Sequence, residues 1–163
     1  MQMRMMRSME LQKNKVLLGL SGGVDSATAA LLLKEKGFNV TGFYFDVKGQ
    51  NEQGRAESEA VAKQLDIPLI YEDVSSDFRG IVIENFITEY LHGRTPNPCV
   101  LCNPNIKFQR LIHHADEIGA YYIATGHYCR MKQIMPIISA ARPTTKKTSP
   151  ICCIVWVRRY SAA

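Results

Sequence analysis

The sequence predicts an α/β domain built on a doubly wound, mostly parallel sheet. Two observations predict it. Short apolar runs alternate with amphipathic stretches from residue 15 to residue 125, at the spacing of βαβ units with right-handed crossovers, and the first run stops at a Ser-Gly-Gly turn. In sheets of this kind ligands bind beyond the carboxyl ends of the strands, where the first strand-to-helix turn lies. Here that turn is Ser21 to Ser26.

The elements follow in order. KVLLGL (15–20) is a short apolar run suited to a buried strand. VDSATAALLLKEK (24–36) collects good helix formers, gathers charge at its carboxyl end and stops at Gly37. NVTGFYF (39–45) is the second strand, AESEAVAKQL (56–65) a helix ended by Pro68, and IPLIYEDV (67–74) the third strand. A helix within 77–91 carries Phe78, Ile81, Val82, Phe86, Ile87 and Tyr90 at helical spacing. The proline-rich stretch GRTPNPCVLCNPN (93–105) reads as a loop, followed by the amphipathic helix IKFQRLIHHADEIG and the strand YYIAT (121–125). His113 and His114 fall on that last helix and read as surface residues.

The chain has 163 residues, enough for one domain of ordinary size. With 46% hydrophobic and 21% charged residues it is the composition of a folded chain, not a disordered one. No apolar run approaches the roughly 18 residues of a membrane helix, so no membrane partner is expected. The net charge of +5 invites a nucleic-acid reading. That reading weakens on mapping, because residues 1–132 hold 15 basic and 15 acidic residues, and 133–163 hold five basic residues and no acid. Five cysteines (99, 102, 129, 152, 153) form no evenly paired framework, and the first fifteen residues lack an apolar segment behind their positive charge. A reducing cytoplasm is the expected compartment.

SGGVDS (21–26) sets two glycines between a strand and a helix N-terminus. Without Cβ atoms, Gly22 and Gly23 let backbone N–H groups approach an anion closely, and the helix dipole adds partial positive charge. The hydroxyls of Ser21 and Ser26 can donate to phosphate oxygens, while Asp25 is suited to holding Mg²⁺ or capping the helix. The turn is neither GxxxxGK[ST] nor GxGxxG. In this strand–loop–helix setting it resembles the PP-loop of ATP pyrophosphatases, which cleave ATP to AMP and pyrophosphate while adenylating an acceptor.

TPNPCVLCN (95–103) places Cys99 and Cys102 just ahead of a helix beginning near Ile106, where a thiolate is favoured by the helix N-terminus. Four readings of the pair stand: a redox CxxC, half of a metal or iron–sulfur site, one catalytic thiol with a bystander, or two structural thiols. Cys129 and His127 do not complete a familiar zinc spacing.

Three blocks, GLSGGVDSATAALLLKEKG, GRTPNPCVLCNPNIKF and GAYYIATGHYCR, together resemble the tRNA-uridine 2-sulfurtransferases (tRNA-specific 2-thiouridylases), in order and in separation, over about residues 13–132. The resemblance implies a Rossmann-like fold of the adenine nucleotide alpha hydrolase kind. It implies ATP-dependent replacement of the 2-oxygen of the wobble uridine of tRNA by sulfur, with ATP and Mg²⁺ as cofactors. The sulfur would come from a persulfide delivered by a sulfur-relay protein or a cysteine desulfurase. Carried over by position, Gly19, Leu20, Ser21, Gly22, Gly23, Val24, Asp25 and Ser26 would hold ATP, with Phe45 and Gly126 against the nucleotide and Asp25 in the catalytic set. Asn97, Pro98 and Cys99 would approach the target base, Cys102 would carry sulfur as the catalytic cysteine, and His127 would lie near the tRNA.

Two departures stand out. Cys99 occupies a position that is often Asp in the family, which opens a labile cluster or a local disulfide at Cys99 and Cys102, although an iron–sulfur cluster is not the expectation. The family's second catalytic cysteine belongs to a downstream segment not found in this sequence, so activity of this chain alone is not expected. The expected organisation is an extension (1–12), the PP-loop domain (13–132) and a tail (133–163), with the family's central and C-terminal tRNA-binding domains absent. After Arg130 the βα rhythm fails. TTKKTSPICCIVW (144–156) admits synonymous codons that, read one base earlier, spell DDKKDQSYLLYRL, a string containing the KKDQSY-type segment found in the family at this distance. The tail from about Gln133 is therefore expected to be out of frame, and Cys152 and Cys153 to be without function. The rival readings are another PP-loop ATP pyrophosphatase, either a cluster-dependent tRNA thiolase or an amidotransferase-type synthetase, and an ATP-binding fragment without catalysis.

Overall fold

A computed structural model describes residues 12–126, 130–134, 137–141 and 157–158, with strand pairing alone for those beyond Gly126. Strands β1 (Gln12–Gly19), β2 (Asn39–Asp46), β3 (Leu69–Asp73) and β4 (Ala120–Thr125) form a parallel sheet in the order β3-β2-β1-β4. The order explains the site. From β1 the chain moves outward to β2 and β3 and then returns to add β4 on the other side of β1, so the carboxyl ends of β1 and β4 flank the point where strand order reverses.

Alternation along β1 divides the core between the faces. Val16, Leu18 and Leu20 pack with Ala29, Ala30 and Leu33 of α1 (Val24–Glu35) and Ala62 of α2 (Glu52–Gln64) on one face. Leu17, with Phe43 and Ile123, meets Leu111 and Ala115 of α6 (Phe108–Glu117) on the other. Near-continuous apolar strands covered on both faces are what a parallel sheet requires.

The predicted elements are present, with boundaries moved for identifiable reasons. α2 begins at Glu52, four residues before the predicted start, because the Asn51 side chain caps it by accepting from Gly54 N. Gly54 suits that first turn, since a Cβ there would collide with the Tyr44 hydroxyl. β3 begins at Leu69, after Pro68, whose carbonyl accepts from Gly42 N. The helix predicted within 77–91 is three joined pieces: α3 (Ser75–Phe78), a π-helical turn (Arg79–Ile83) and α4 (Glu84–Leu91).

The largest correction concerns residues 93–105. The expected loop contains helix α5 (Pro98–Cys102), which runs through a second π-helical turn (Asn103–Lys107) into α6. Pro98 stands at a first-turn position where its missing N–H costs nothing, and Asn97 caps the helix by accepting from Cys99 N at 3.2 Å. Pro104 cannot donate to an α-helical ladder, and the chain widens to π-helical bonding around it instead of stopping. His114 is also corrected: it is not a free surface group but is wedged between Glu72 (2.9 Å) and Glu117 (2.7 Å), against the Phe43 ring.

Beyond Arg130, where no element is predicted, β5 (Arg130–Ile134) pairs antiparallel with β6 (Ile137–Ala141), and β7 (Val157–Arg158) pairs antiparallel with β4. The expectations for residues 1–11, for His127, and for Cys152 and Cys153 lie outside the described residues. Among the described residues, no helix is long and apolar enough to cross a membrane.

Candidate active site

At the reversal of strand order lies a cavity of about 640 Å³. One wall is the end of β1 and the turn after it, Gly19, Leu20, Ser21, Asp25 and Ser26, with Thr125 and Gly126 from the end of β4. Tyr44, Phe45 and Val47 from the end of β2 form its back, and the opposite wall is Pro98, Cys99, Cys102, Asn103 and Lys107, with Phe108. The glycine turn and the cysteine helix, more than seventy residues apart in sequence, therefore share one space.

The turn is built by its own hydroxyls. Ser26 is 4% exposed; its Oγ accepts from Ser21 N at 3.2 Å and donates to Gly23 O at 3.0 Å. The Ser21 Oγ lies 3.2 Å from it, so the two hydroxyls and the Gly23 carbonyl together shape the turn. Gly22 adopts φ +79°, and a Cβ there would lie 2.9 Å from Glu57 Cβ, so glycine is needed for both backbone and packing. At Gly126 a Cβ would lie 2.9 Å from Ser26 N and 3.0 Å from the Asp25 carbonyl carbon. The end of β4 is in this way pressed against the first turn of α1, where the N–H groups lack helical partners and the dipole favours an anion.

Of the residues named from the sequence, Gly19, Leu20, Ser21, Asp25, Ser26, Phe45, Pro98, Cys99, Cys102 and Gly126 line the cavity. Gly22, Gly23, Val24 and Asn97 do not: Val24 is 81% exposed, and Asn97 serves as the cap of α5. Tyr44, Val47, Asn103, Lys107, Phe108 and Thr125 join the lining without having been singled out. For Lys107 the available signal was its place in CNPNIKF, five residues after Cys102.

The back wall is held by a buried carboxylate. Asp46 is fully buried; its Oδ1 accepts from Lys48 N (2.9 Å) and Gly49 N (3.0 Å), and its Oδ2 from Asn51 N (2.8 Å) and the Tyr71 hydroxyl (2.9 Å). Burial pushes this carboxyl up, but the Asn51 N–H, the Tyr71 hydroxyl and the Lys48 and Gly49 N–H groups outweigh it and leave it below the usual carboxylate range. A carboxyl depressed in the folded state stabilises the fold above its unfolded value and loses that contribution as pH falls through the folded one. Wild-type stability should therefore decline below about pH 4. Asp46→Asn should cost about 2–3 kcal/mol at neutral pH, because an amide cannot accept at both ends. Urea melts at pH 3 and pH 7 check both, and a variant equal to wild type at pH 7 would refute the assignment.

The two thiols differ. Cys99 is exposed, while Cys102 is 5% exposed and packs with Val74, Val82 and Ile106. Burial pushes the Cys102 thiol up, Lys107 opposes this, and Cys99 adds to it; the net direction is upward. This overturns the expectation of a thiolate favoured by a following helix N-terminus. Cys102 ends α5 and continues into a π-helical turn, so it faces no free helix N-terminus.

As to metals, Asp25 is the one carboxylate on the cavity lining among the described residues. A single carboxylate beside the glycine turn fits Mg²⁺, which commonly takes one or two carboxylates together with substrate phosphates. Among the described residues no group of three or more His, Cys, Asp or Glu could hold a metal ion, and Cys99 and Cys102 supply two of the four thiolates an iron–sulfur cluster usually takes.

Known proteins bear on this arrangement. The sequence model of the tRNA methyl transferase HUP domain matches residues 14–150. The tRNA-specific 2-thiouridylase MnmA 2 of Clostridium botulinum (strain Hall) is 45% identical over 129 residues, covering 76% of this chain and 36% of that protein. The protein of that name from Thermoanaerobacter sp. (strain X514) is 46% identical over 130 residues, covering 72% and 36%. The chain thus spans about a third of the length of these relatives. Among solved structures, the U34-tRNA thiolase NcsA of Methanococcus maripaludis with its [4Fe-4S] cluster has a TM-score of 0.53 at 26% identity, over 72% of this chain and 40% of that one. A predicted subunit of tRNA methyltransferase from Methanocaldococcus jannaschii, at TM-score 0.51 and 22% identity over 69% and 52%, shares the fold. With a parallel PP-loop sheet, its glycine turn at the point of strand reversal and a family match over most of its length, this chain belongs to the tRNA methyl transferase HUP-domain family, alongside the tRNA-specific 2-thiouridylases.

Proposed function

We propose that this domain binds ATP and, in a protein of its relatives' length, thiolates the 2-position of the wobble uridine of tRNA in the cytoplasm. The observation that carries the reading is the single cavity into which both the glycine turn and Cys102 open. An amide-like carbonyl is a poor electrophile, so its oxygen must first become a leaving group. The uridine 2-oxygen attacks the α-phosphorus of ATP, pyrophosphate departs, and the adenylated carbon is then open to sulfur.

The chain's own groups divide this work. Backbone N–H groups at the start of α1 meet the phosphate charge, and the close approach of Gly126 holds the end of β4 against the turn. Mg²⁺, held with the phosphates near Asp25, would supply further charge stabilisation to the departing pyrophosphate. Phe45 offers an apolar surface to the adenosine, and Pro98 and Cys99 flank the side from which the base arrives. Cys102 carries the sulfur as a persulfide, received from a sulfur-relay protein or cysteine desulfurase; its terminal sulfur attacks the activated carbon and AMP leaves, joining Cys102 to the base through an S–S bond, and a second cysteine thiol from the longer protein then attacks the Cys102 sulfur, forming a disulfide and releasing the 2-thiouridine.

The test is ATP–pyrophosphate exchange. Labelled pyrophosphate should enter ATP only when a tRNA with an unmodified wobble uridine is present, in the protein of full relatives' length, and this chain alone should bind ATP. Exchange that ignores tRNA would point to an amidotransferase-type synthetase, and absence of ATP binding would remove the proposal altogether. Iron and acid-labile sulfide in anaerobically purified protein would favour a cluster-dependent thiolase.

A further inference from the structure

Cys102 sits in surroundings that work against its proposed use. Sulfur exchange needs a thiolate, yet Val74, Val82 and Ile106 enclose the side chain in an apolar cluster that disfavours charge. Something in the cavity must offset that cost. Among the described residues that line it there is a single cation, Lys107, and a single anion, Asp25, which lies on the glycine turn across the cavity.

Lys107 is brought there by the local backbone. Cys102 and Lys107 bracket the π-helical turn Asn103–Lys107, five residues apart, which is the spacing of successive turns in that conformation. In a regular α-helix a residue five positions on is rotated well away from the first. The widened turn around Pro104 thus accompanies the placing of both side chains on the cavity wall. Lys107 is half-buried, and no hydrogen bond or ion pair engages its ammonium among the described residues. The neighbouring charges are otherwise occupied or turned outward: Asp77 is bonded by Arg110, Glu72 meets Arg110 and His114, and Arg79 is exposed.

We propose that Lys107 is the charge partner of Cys102, its ammonium compensating the anionic sulfur of the thiolate and of the persulfide within the cavity. The inference deepens the proposed sulfur transfer and rests on that reading for its purpose. The direction of the Cys102 thiol agrees: burial raises it first, Lys107 lowers it, and the exposed Cys99 raises it. Lys107 forms no bond of its own in the reaction; it shifts the fraction of Cys102 that is nucleophilic at neutral pH.

The test reads Cys102 directly. The chain is alkylated with iodoacetamide across pH 6.5–10, and the rate at Cys102 is followed by peptide mass spectrometry, which separates it from Cys99 and the other cysteines. Lys107→Met keeps length and apolar bulk, and should slow Cys102 alkylation at pH 7.5 by about three- to ten-fold and move its pH profile upward. Lys107→Arg should restore most of the rate, which a merely structural role would not predict. Because the ammonium has no hydrogen-bond partner to orphan, Lys107→Met should fold; Lys107→Gln gives a second neutral side chain if it does not. Profiles of either neutral variant that superimpose on wild type would overturn the proposal. Alkylation reports charge at Cys102 whether or not sulfur is transferred, so failure of the thiolation reading would show separately, as an unaltered alkylation effect in a protein that makes no 2-thiouridine.

Discussion

Cys102→Ser, introduced into a protein of the relatives' full length, is expected to lower sulfur transfer to tRNA by about a thousand-fold or more, while ATP binding is retained. The separation follows from the cavity. Cys102 lies on the wall formed by α5 and the π-helical turn, and the groups that meet phosphate lie on the opposite wall, so one oxygen for one sulfur leaves the nucleotide side untouched. Serine is close to cysteine in size, and its hydroxyl in the Val74–Val82–Ile106 cluster costs about 1–3 kcal/mol of stability, which thermal melting would register. Mass spectrometry of 2-thiouridine in the recovered tRNA, with ATP affinity by calorimetry, reads the two effects apart. Cys99→Ser is the necessary companion. Cys99 is exposed and three residues away, and if Cys102→Ser still thiolates whereas Cys99→Ser does not, the exposed thiol carries the sulfur.

Where the sequence can and cannot be read follows from which interactions are local. The turn at Ser21–Ser26 is legible because glycine, a strand before it and a helix after it are all encoded within a few residues. The two-faced core is legible because Val16, Leu17 and Leu18 form a run with no polar break, which a parallel sheet covers from both sides. The helix carrying Cys102 is not, since three prolines in nine residues read as a loop until the cap at Asn97 and the π-helical turn around Pro104 show how each is tolerated. Lys107 escapes for a related reason: helical periodicity sends it to another face, and only the widened turn returns it to the cavity. His114 reads as exposed because its partner Glu72 is 42 residues distant in sequence, beyond any local pattern. The thiol's upward direction is likewise set by Val74 and Val82, from a segment that no motif connects to Cys102.

The second large effect is expected at Gly126, from a single methyl group. The new Cβ of Gly126→Ala would lie 2.9 Å from Ser26 N, 3.0 Å from the Asp25 carbonyl carbon and 3.0 Å from Ser26 Cα. All three are backbone atoms of the first turn of α1, so no rotamer change relieves the clash and the turn itself must shift away from β4. Overpacking of this kind costs about 1–3 kcal/mol. The displaced groups are those proposed to meet phosphate, so ATP affinity should fall by about ten- to a hundred-fold, at 1.4 kcal/mol per factor of ten. Gly37→Ala separates this effect from general damage. Gly37 ends α1 at φ +82° with open space around it, so alanine there strains the backbone by about 1 kcal/mol and lowers the melting temperature, yet stands at the opposite end of the helix from the turn. Isothermal calorimetry with ATP on both variants should therefore give weak binding for Gly126→Ala and wild-type binding for Gly37→Ala. Equal affinities would mean that the contact between β4 and the glycine turn does not set the geometry of the phosphate site.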